Sequence, residues 1–529
     1  MRTGLLKRGL RTRIFSPAFL AFVFLLSGPH GIAVAQSSND EHAWAAGAIA
    51  HAQKMRSFKD AAFGVQRAPS TIPVFAQHED PSGLIATFQP GGPTTPALNA
   101  FFQNLGTNGR TCFTCHQPQT GWTVSAASVQ ERFERSRGRD PIFRLVDGAT
   151  CPSDKVATLA ERAHAYRLLT EKGLIRIGLP LPDPNKLQFE VTSVANDPDG
   201  CNTNPSHINP PTGLTSPTSG IVSVYRRPLP STNVDFLATI MWDGREPSPA
   251  KVGLAAGLSQ QSIDATRIHA QATTDPTTEQ QAQIVAFQRG LFTAQEFDNE
   301  AGNLHARNGL GGPVALSSEV SEFYIGINDP IGMNPTGAAF DPNIFSLYKF
   351  WESLRDADPK TEARKSIARG EELFNTTKIN ITGVSGLNDD LGMPSIPGFC
   401  GTCHDTPNIG NHSVSAPLDI GIADAGPNAP PALDISGLPV FTLTCTAEGP
   451  LKGKKYYVTD PGRALITGQC KDIGRVKGPI LRGLASRAPY FHNGSAASLM
   501  DVVNFYDQRF GLKFTDDQKQ DLVNFLNTL

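Results

Sequence analysis

Apolar residues recur at helical spacing in several stretches of this 529-residue chain. The clearest of these stretches are residues 281–297, 344–354, 499–510 and 515–529. Because positions three and four apart lie on one side of an α-helix, each stretch predicts a helix with a buried side. In the second stretch, that side would carry Leu347, Phe350, Trp351 and Leu354.

The last stretch also indicates where its helix begins. Thr515 is followed three positions later by Gln518, which is the spacing of a capping box. The stripe that would be buried consists of Leu522, Phe525, Leu526 and Leu529. The chain has 49 Gly and 41 Pro and few aromatic residues apart from Phe, which favours many loops around short helices. We therefore predict a mainly α fold with loop-rich insertions and little sheet.

Residues 1–35 have the pattern of a cleavable export signal. Five basic residues precede an apolar run at 14–26, and Ala33-Val34-Ala35 offers a small-residue cleavage site. An uncleaved membrane anchor is the alternative, but the run is too short to span a bilayer and contains Pro17. We predict cleavage, a periplasmic protein and no remaining membrane span. Cleavage would move the net charge from −2 to −7, and the nearly balanced composition gives no indication of a nucleic-acid partner.

Two copies of a Cys-x-x-Cys-His motif carry the most specific chemistry in the sequence. They are Cys112-Phe-Thr-Cys115-His116 and Cys400-Gly-Thr-Cys403-His404. Such a motif binds a haem covalently through its two thiols and places the histidine as the proximal iron ligand. A lone Cys-x-x-Cys could also be a redox dithiol or half of a zinc site. Two copies with the trailing histidine, on an exported chain, predict two haem c groups with His116 and His404 as ligands.

The other four cysteines lie in local pairs, Cys151 with Cys201 and Cys445 with Cys470. We predict a disulfide within each pair, although other pairings remain open from sequence alone. The first pair lies in a segment at about 123–223, which we interpret as a disulfide-stapled insertion. The predicted layout is an N-terminal cytochrome c-like domain at 36–355, a linker, and a second such domain at 362–529.

Three further stretches resemble the bacterial di-haem cytochrome c peroxidases and MauG. They are Trp242-Asp-Gly-Arg245, the segment from Gly478 to Leu484 continuing into Ala488-Pro-Tyr-Phe-His-Asn-Gly494, and the helical stretch Leu499–Phe510. Together with the haem motifs, the resemblance covers most of residues 101–529, whereas the long insertion and the greater length depart from the family. It implies that the first haem performs the peroxide chemistry and that the second collects electrons.

The resemblance also implies roles for two aromatic side chains. Trp242 matches the tryptophan between the two haems, although a core aromatic is the alternative. Tyr506 stands fourteen residues after His492, where the peroxidases have a Met ligand and MauG has a tyrosine. We predict Tyr506 as the second ligand of the second haem, because a phenolate favours ferric iron. If Tyr506 is a core residue instead, Met500, Met393 or His412 would bind the iron, or the position would be open.

The peroxide-binding side of the first haem needs groups that accept and donate protons. The family places a Gln and a Glu there, ten residues apart, and Gln261 and Gln271 keep that separation. An amide cannot act as a base, so the neighbouring His269 and also Glu246 are candidates. A surface helix rich in glutamine would explain the same residues without any catalytic role.

The resemblance extends to the region around His492, which it places near the second haem or between the two. In the family, backbone oxygens from this stretch bind an inter-haem calcium ion. That would nominate the carbonyls of Arg487 and Pro489, while the expected asparagine ligand is not clearly matched, although Asn233 is nearby. Calcium is therefore an expectation from the resemblance alone.

The leading functional hypothesis is reduction of hydrogen peroxide. Electrons from a small cytochrome or cupredoxin would enter at the His404 haem and pass Trp242 to the His116 haem. Tyr506 favours the alternative of a MauG-like oxidase acting on a protein or organic substrate, a group that also includes di-haem rubber oxygenases. A plain electron carrier is the third alternative, and it needs neither this length nor the insertion.

Overall fold

The computed structural model describes residues 68–203 and 221–529. The predicted signal at 1–35 lies outside these residues. The α-helices are α1 Ala126–Ser136, α2 Leu159–Ala165, α3 Arg167–Lys172, α4 Pro249–Val252, α5 Leu254–His269, α6 Thr278–Arg289, α7 Pro313–Ser318, α8 Pro359–Thr376, α9 Ala464–Thr467, α10 Leu499–Phe510 and α11 Asp516–Asn527. Within the described ranges, no helix is long and apolar enough to cross a membrane.

The strands overturn the mainly α prediction, because only 33% of the described residues are helical and 16% are strand. The strands are β1 Phe75–Asp80, β2 Gly83–Phe88, β3 Ile175–Pro180, β4 Phe189–Ala195, β5 Ile221–Arg226, β6 Phe292–Asp298, β7 Gly302–Asn303, β8 Ile379–Thr382, β9 Ser395–Gly398, β10 Val440–Cys445 and β11 Lys455–Val458. They form a four-stranded sheet in the order β1-β2-β6-β7, a three-stranded sheet in the order β11-β10-β4, and the pairs β3-β5 and β8-β9. Most of these strands are short, and several pair with partners far away in sequence, so local periodicity did not reveal them.

Two of the predicted helices are wrong in part. The helix predicted at 281–297 ends at Arg289, and its second half is strand β6, which pairs with β2. The helix predicted at 344–354 is only a short 3-10 turn, Lys349–Ser353, in which Phe350 is exposed and Trp351 is buried. The Glu371 carboxylate accepts the backbone N–H groups of Leu347 and Tyr348. These N–H groups are therefore not available for the bonds of a regular helix.

The two C-terminal helices are confirmed. Thr515 accepts the backbone N–H of Gln518, whose side chain accepts the backbone N–H of Thr515, as in the predicted capping box. The predicted stripe from Leu522 to Leu529 is buried. Helix α11 packs closely on α8, because Gly370 has no side chain: a Cβ there would lie 2.0 Å from the backbone oxygen of Asp521. Helix α8 begins at Pro359, inside the stretch predicted as a linker.

Both predicted disulfides are confirmed. Cys151 is bonded to Cys201 and Cys445 to Cys470, with Cα–Cα distances of 5.4 and 5.9 Å. The inserted segment is anchored to the rest of the chain, because its strand β4 pairs antiparallel with β10. One buried cluster accordingly contains residues from the insertion and from the C-terminal half. The division into two cytochrome domains stays a prediction.

Candidate functional site

The two Cys-x-x-Cys-His motifs fold into nearly identical tight turns. In the first, the backbone N–H groups of Cys115 and His116 both donate to the carbonyl of Cys112, at 3.2 and 3.1 Å. In the second, Cys403 and His404 donate to the carbonyl of Cys400 at the same two distances. Each turn is closed by a threonine hydroxyl, that of Thr114 or Thr402, which accepts the backbone N–H just before the motif. All four cysteines of the motifs are free thiols.

Both motif histidines are oriented in the same way. The Nδ1–H of His116 donates to the carbonyl of Trp122 at 2.8 Å, and that of His404 donates to the carbonyl of Gly410 at 2.6 Å. Donation from Nδ1 leaves the Nε2 lone pair of each ring free, as in histidines that bind metals. Burial lowers the pKa of His116 to about 4 and also lowers the pKa of His404, so both rings are neutral at pH 7.

The first motif opens into a cavity of about 140 Å³. Its lining includes Cys112, Cys115, His116, Trp242, Gln261 and His269. Burial raises the pKa of the Cys112 thiol to about 12, so this thiol is protonated in the polypeptide alone. Two thiols and an imidazole in the wall of one cavity are the groups that hold a haem c.

The second motif opens into a larger cavity of about 220 Å³. Its lining includes Cys400, Cys403, His404, Trp242, His492 and Tyr506, with many aliphatic and aromatic side chains. Three side chains that line this cavity carry buried nitrogens without a hydrogen-bond partner among the described residues: Nε2 of His412, Nε of Arg487 and Nδ1 of His492. A buried polar group without a hydrogen-bond partner lowers the stability of a protein. These nitrogens therefore indicate that a further polar group binds in this cavity. Paired thiols, a free imidazole nitrogen and an apolar wall together fit a covalently bound porphyrin.

Tyr506 lies on α10 and lines the second cavity. No described residue forms a hydrogen bond with its hydroxyl. Burial raises the pKa of this phenol, and the nearby thiols of Cys403 and Cys400 raise it further. Of the alternative ligands, His412 also lines the cavity, whereas Met500 and the half-exposed Met393 do not.

Trp242 lines both cavities. Its indole N–H donates to the carbonyl of Arg227 at 2.8 Å, and the ring packs edge-on against His492 with 6.1 Å between centres. The ammonium of Lys477 lies 5.7 Å from the ring centre, within the range of a cation–π contact. The indole is therefore held in one orientation between the two cavities.

A buried ion-pair network fixes the turn that carries Trp242. Asp243 accepts hydrogen bonds from Arg226 and Arg245, and Arg226 also pairs with Asp460. The left-handed φ of +66° at Gly244 lets the chain turn at this point. The stretch Trp242-Asp-Gly-Arg245 predicted a functional role only for Trp242 and did not indicate this network. Asp460 lies more than two hundred residues away, and no local signal could have indicated it.

The side of the first cavity formed by α5 carries His269 and Gln261. The Nδ1–H of His269 donates to Asp147, which also pairs with the buried Arg110. Burial alone would raise the pKa of Asp147, but Arg110 and His269 hold it below its ordinary value. The structure does not bring Gln271 to the cavity, because this residue is exposed beyond the end of α5 and accepts a hydrogen bond from Asn108. Asp147 lies 122 residues before His269, and no motif or periodicity pointed to it.

No family model matches the chain. The cytochrome-c peroxidase IdrP1 of Pseudomonas sp. (strain SCT) is 38% identical over 81 residues, which are 13% of this chain and 21% of that protein. The IdrP1 of Denitromonas iodatirespirans is 34% identical over 88 residues, covering 15% and 23%. The IdrP2 of Pseudomonas sp. (strain SCT) is 33% identical over 106 residues, covering 18% and 29%. These partial likenesses support the resemblance to the di-haem cytochrome c peroxidase and MauG family.

The chain matches less than a third of the length of each of these relatives. A solved structure of a MauG-like protein associated with microbial copper homeostasis is 17% identical, with a TM-score of 0.29, and the likeness covers 58% of this chain and 74% of that one.

Two of the three residues that the resemblance nominates for calcium, Asn233 and Arg487, are already engaged in hydrogen bonds. The side-chain amide of Asn233 donates to the carbonyl of Thr293 and accepts the N–H of Thr293, at 2.8 and 2.9 Å. The carbonyl of Arg487 accepts a hydrogen bond from the guanidinium of Arg227 at 2.6 Å. Among the described residues, no group of three or more His, Cys, Asp or Glu side chains is arranged to hold a metal ion. With Asn233 and the Arg487 carbonyl already engaged, this set of ligands does not fit a calcium ion.

Glu246, the other candidate base, is buried beside the first cavity's α5 wall but does not line the cavity. Burial, followed by the charge of Asp264, raises the pKa of Glu246 to about 7. A carboxyl group with this pKa can exchange a proton near neutral pH. Of these two candidate bases, however, only His269 lines the first cavity.

Proposed function

We propose that this protein is an exported di-haem c-type cytochrome that reduces hydrogen peroxide to water with electrons from a small redox protein. The observation that carries the proposal is the pair of matching thiol–imidazole turns whose cavities share Trp242. A plain electron carrier would not need a cavity lined by an acid–base group such as His269. The signal-like residues 1–35 support export to the periplasm.

In the first cavity, Cys112 and Cys115 would hold one haem through thioether bonds, and His116 would bind its iron. When bound, the haem iron supplies the redox chemistry that cleaves the O–O bond of the peroxide. His269 would take a proton from the incoming peroxide and return one to the departing oxygen. Asp147 keeps the His269 ring oriented through its Nδ1–H, leaving Nε2 to face the substrate.

The variant His269→Gln is expected to lose about 100-fold in peroxide turnover, in line with the usual contribution of one acid–base group. Turnover is measured with reduced cytochrome c or a reduced cupredoxin as the donor. The visible spectra of both haems should be unchanged, since His269 is not an iron ligand in this proposal. The matched control is Gln271→Ala, which changes an exposed residue outside the cavity and should leave turnover as it is. Full activity of His269→Gln would show that another group moves the proton.

In the second cavity, Cys400, Cys403 and His404 would hold the other haem, and Tyr506 would be a further ligand of its iron. Lys477 and Arg487 also line this cavity, and within the described residues neither has a carboxylate partner. Burial lowers the pKa of Lys477 to about 7 and that of Arg487 to about 10. The carboxylate side chains of a porphyrin would supply the missing counter-charges.

Trp242 would pass electrons between the two haems, because its indole borders both cavities. In Trp242→Phe, electron transfer from the second haem to the first is expected to slow at least about tenfold, equivalent to about 1.4 kcal/mol on the barrier. Stopped-flow reduction followed at the two haem absorbances measures this rate. Trp351→Phe is the matched control, since Trp351 is a buried tryptophan of the core that lines neither cavity. An unchanged rate in Trp242→Phe would show that Trp242 does not carry electrons between the haems.

Tyr506 specifically favours a second candidate, a MauG-like oxidase. Phenolate ligation stabilises oxidised iron, which suits removal of electrons from an organic or protein substrate. Steady-state assays distinguish the two functions: a peroxidase turns over peroxide with reduced cytochrome c, whereas an oxidase does so only with its own substrate. A carrier would show no high-spin haem and no spectral response to peroxide.

A further inference from the structure

A buried guanidinium, that of Arg227, lies at the junction of the two cavities. Arg227 is only 6% exposed and lines both cavities together with Trp242. Its Nη2 donates to the carbonyls of Val124 and Arg487, both at 2.6 Å, and its Nη1 donates to the carbonyl of Lys172 at 3.1 Å. The three carbonyls come from three distant parts of the chain, so this one side chain joins them.

The positive charge of Arg227 is balanced by main-chain oxygens rather than by an acid. No carboxylate among the described residues is an ion-pair partner of Arg227. Burial, reinforced by the neighbouring Arg487, lowers the pKa of Arg227 to about 9, so the group still carries its charge at neutral pH. A set of converging backbone carbonyls is the kind of ligand set that a hard cation prefers.

The surrounding chain is shaped to receive this side chain. Gly173, at a left-handed φ of +61°, has no Cβ, and a Cβ there would lie 2.3 Å from Nη1 of Arg227. The backbone of Arg227 is also engaged: its N–H donates to the carbonyl of His492 at 2.7 Å, and its carbonyl accepts the indole N–H of Trp242 at 2.8 Å. Arg227 therefore positions Trp242 and the His492 segment directly.

We propose that the guanidinium of Arg227 is a built-in cation that occupies the place of a divalent metal ion between the two cavities, so that the protein needs no calcium. One observation and one physical argument carry the proposal. The Arg487 carbonyl, an oxygen that the family resemblance assigns to calcium, is bonded to Arg227 instead. A divalent ion at the same oxygen would be repelled by the adjacent guanidinium. The proposal does not depend on which substrate the enzyme oxidises or reduces.

The first test uses the wild-type holoprotein. After prolonged dialysis against EGTA, elemental analysis is expected to find no stoichiometric calcium. The thermal unfolding midpoint and the haem spectra should be the same with EGTA and with millimolar calcium. Tightly retained calcium, or a midpoint that falls on chelation and recovers with calcium, would overturn the proposal.

The second test removes the internal cation. Arg227→Asn deletes the charge and supplies an amide oxygen, so its unfolding midpoint should fall by roughly 5 °C or more and be partly restored by millimolar calcium. Arg227→Lys is the matched control: it keeps a positive charge but cannot reach all three carbonyls, so its smaller loss should not respond to calcium. If calcium did not raise the unfolding midpoint of Arg227→Asn, the proposal that Arg227 takes the place of a divalent ion would be contradicted. If that variant failed to mature, the chelation result on the wild-type protein would decide the question by itself.

Discussion

Replacing Cys112 and Cys115 together with serine is expected to leave the mature protein with one covalently bound haem instead of two, and to abolish peroxide turnover. The two thiols provide the only covalent attachment that we propose for the first haem, and serine hydroxyls do not form thioether bonds. The intact mass should fall by about one haem, and the haem absorbance per polypeptide by about half. The spectrum of the second haem should remain.

The matched control for that experiment is the double variant Cys151→Ser and Cys201→Ser. It also removes two cysteines from the N-terminal half, but they form a disulfide and line neither cavity. This control should keep both haems while losing about 2–4 kcal/mol of stability. If the Cys112 and Cys115 variant retained two covalent haems and full turnover, the assignment of the first motif would be wrong.

Tyr506→Phe is expected to change the second haem most strongly among single substitutions that leave both haems attached. Removing a phenolate ligand should convert this haem to a high-spin form. It should also raise the reduction potential by roughly 100 mV or more, because axial ligands set haem potentials over a range of about 0.8 V. EPR spectra and a spectroelectrochemical titration measure the two effects.

The structure offers a close control in Tyr490, which lines the same cavity. Its hydroxyl donates to the carbonyl of Leu484 at 3.0 Å, so it is a core tyrosine with a backbone partner. Tyr490→Phe should leave the spin state and the potential of the second haem nearly unchanged. Equal behaviour of the two variants would mean that Tyr506 is not a ligand, and His412, which also lines the cavity, would then be tested next.

Features encoded in short stretches of sequence could be predicted well. The capping box at Thr515 and Gln518, helix α10 and both disulfides are confirmed. The two haem motifs share the same turn and the same histidine orientation, because the bonds that define them join residues at most six positions apart. In each case the decisive interactions are local.

Features that depend on distant contacts could not be predicted. Strand β4 pairs with β10 about 250 residues away, so the amount of sheet was underestimated. The predicted helix at 344–354 is only the 3-10 turn Lys349–Ser353, and the N–H groups just before this turn donate to Glu371, more than twenty residues away. The contact of His269 with Asp147 likewise joins positions that are 122 residues apart. No periodicity or motif in the sequence brings such pairs together.

The central claim is that two haem groups are covalently bound to this one polypeptide. The most direct measurement is the intact mass of the purified, denatured wild-type protein after acid–acetone extraction. We expect the red colour to stay with the protein and the mass to exceed that of the signal-free polypeptide by two haems. A colourless polypeptide with no added mass would contradict the account.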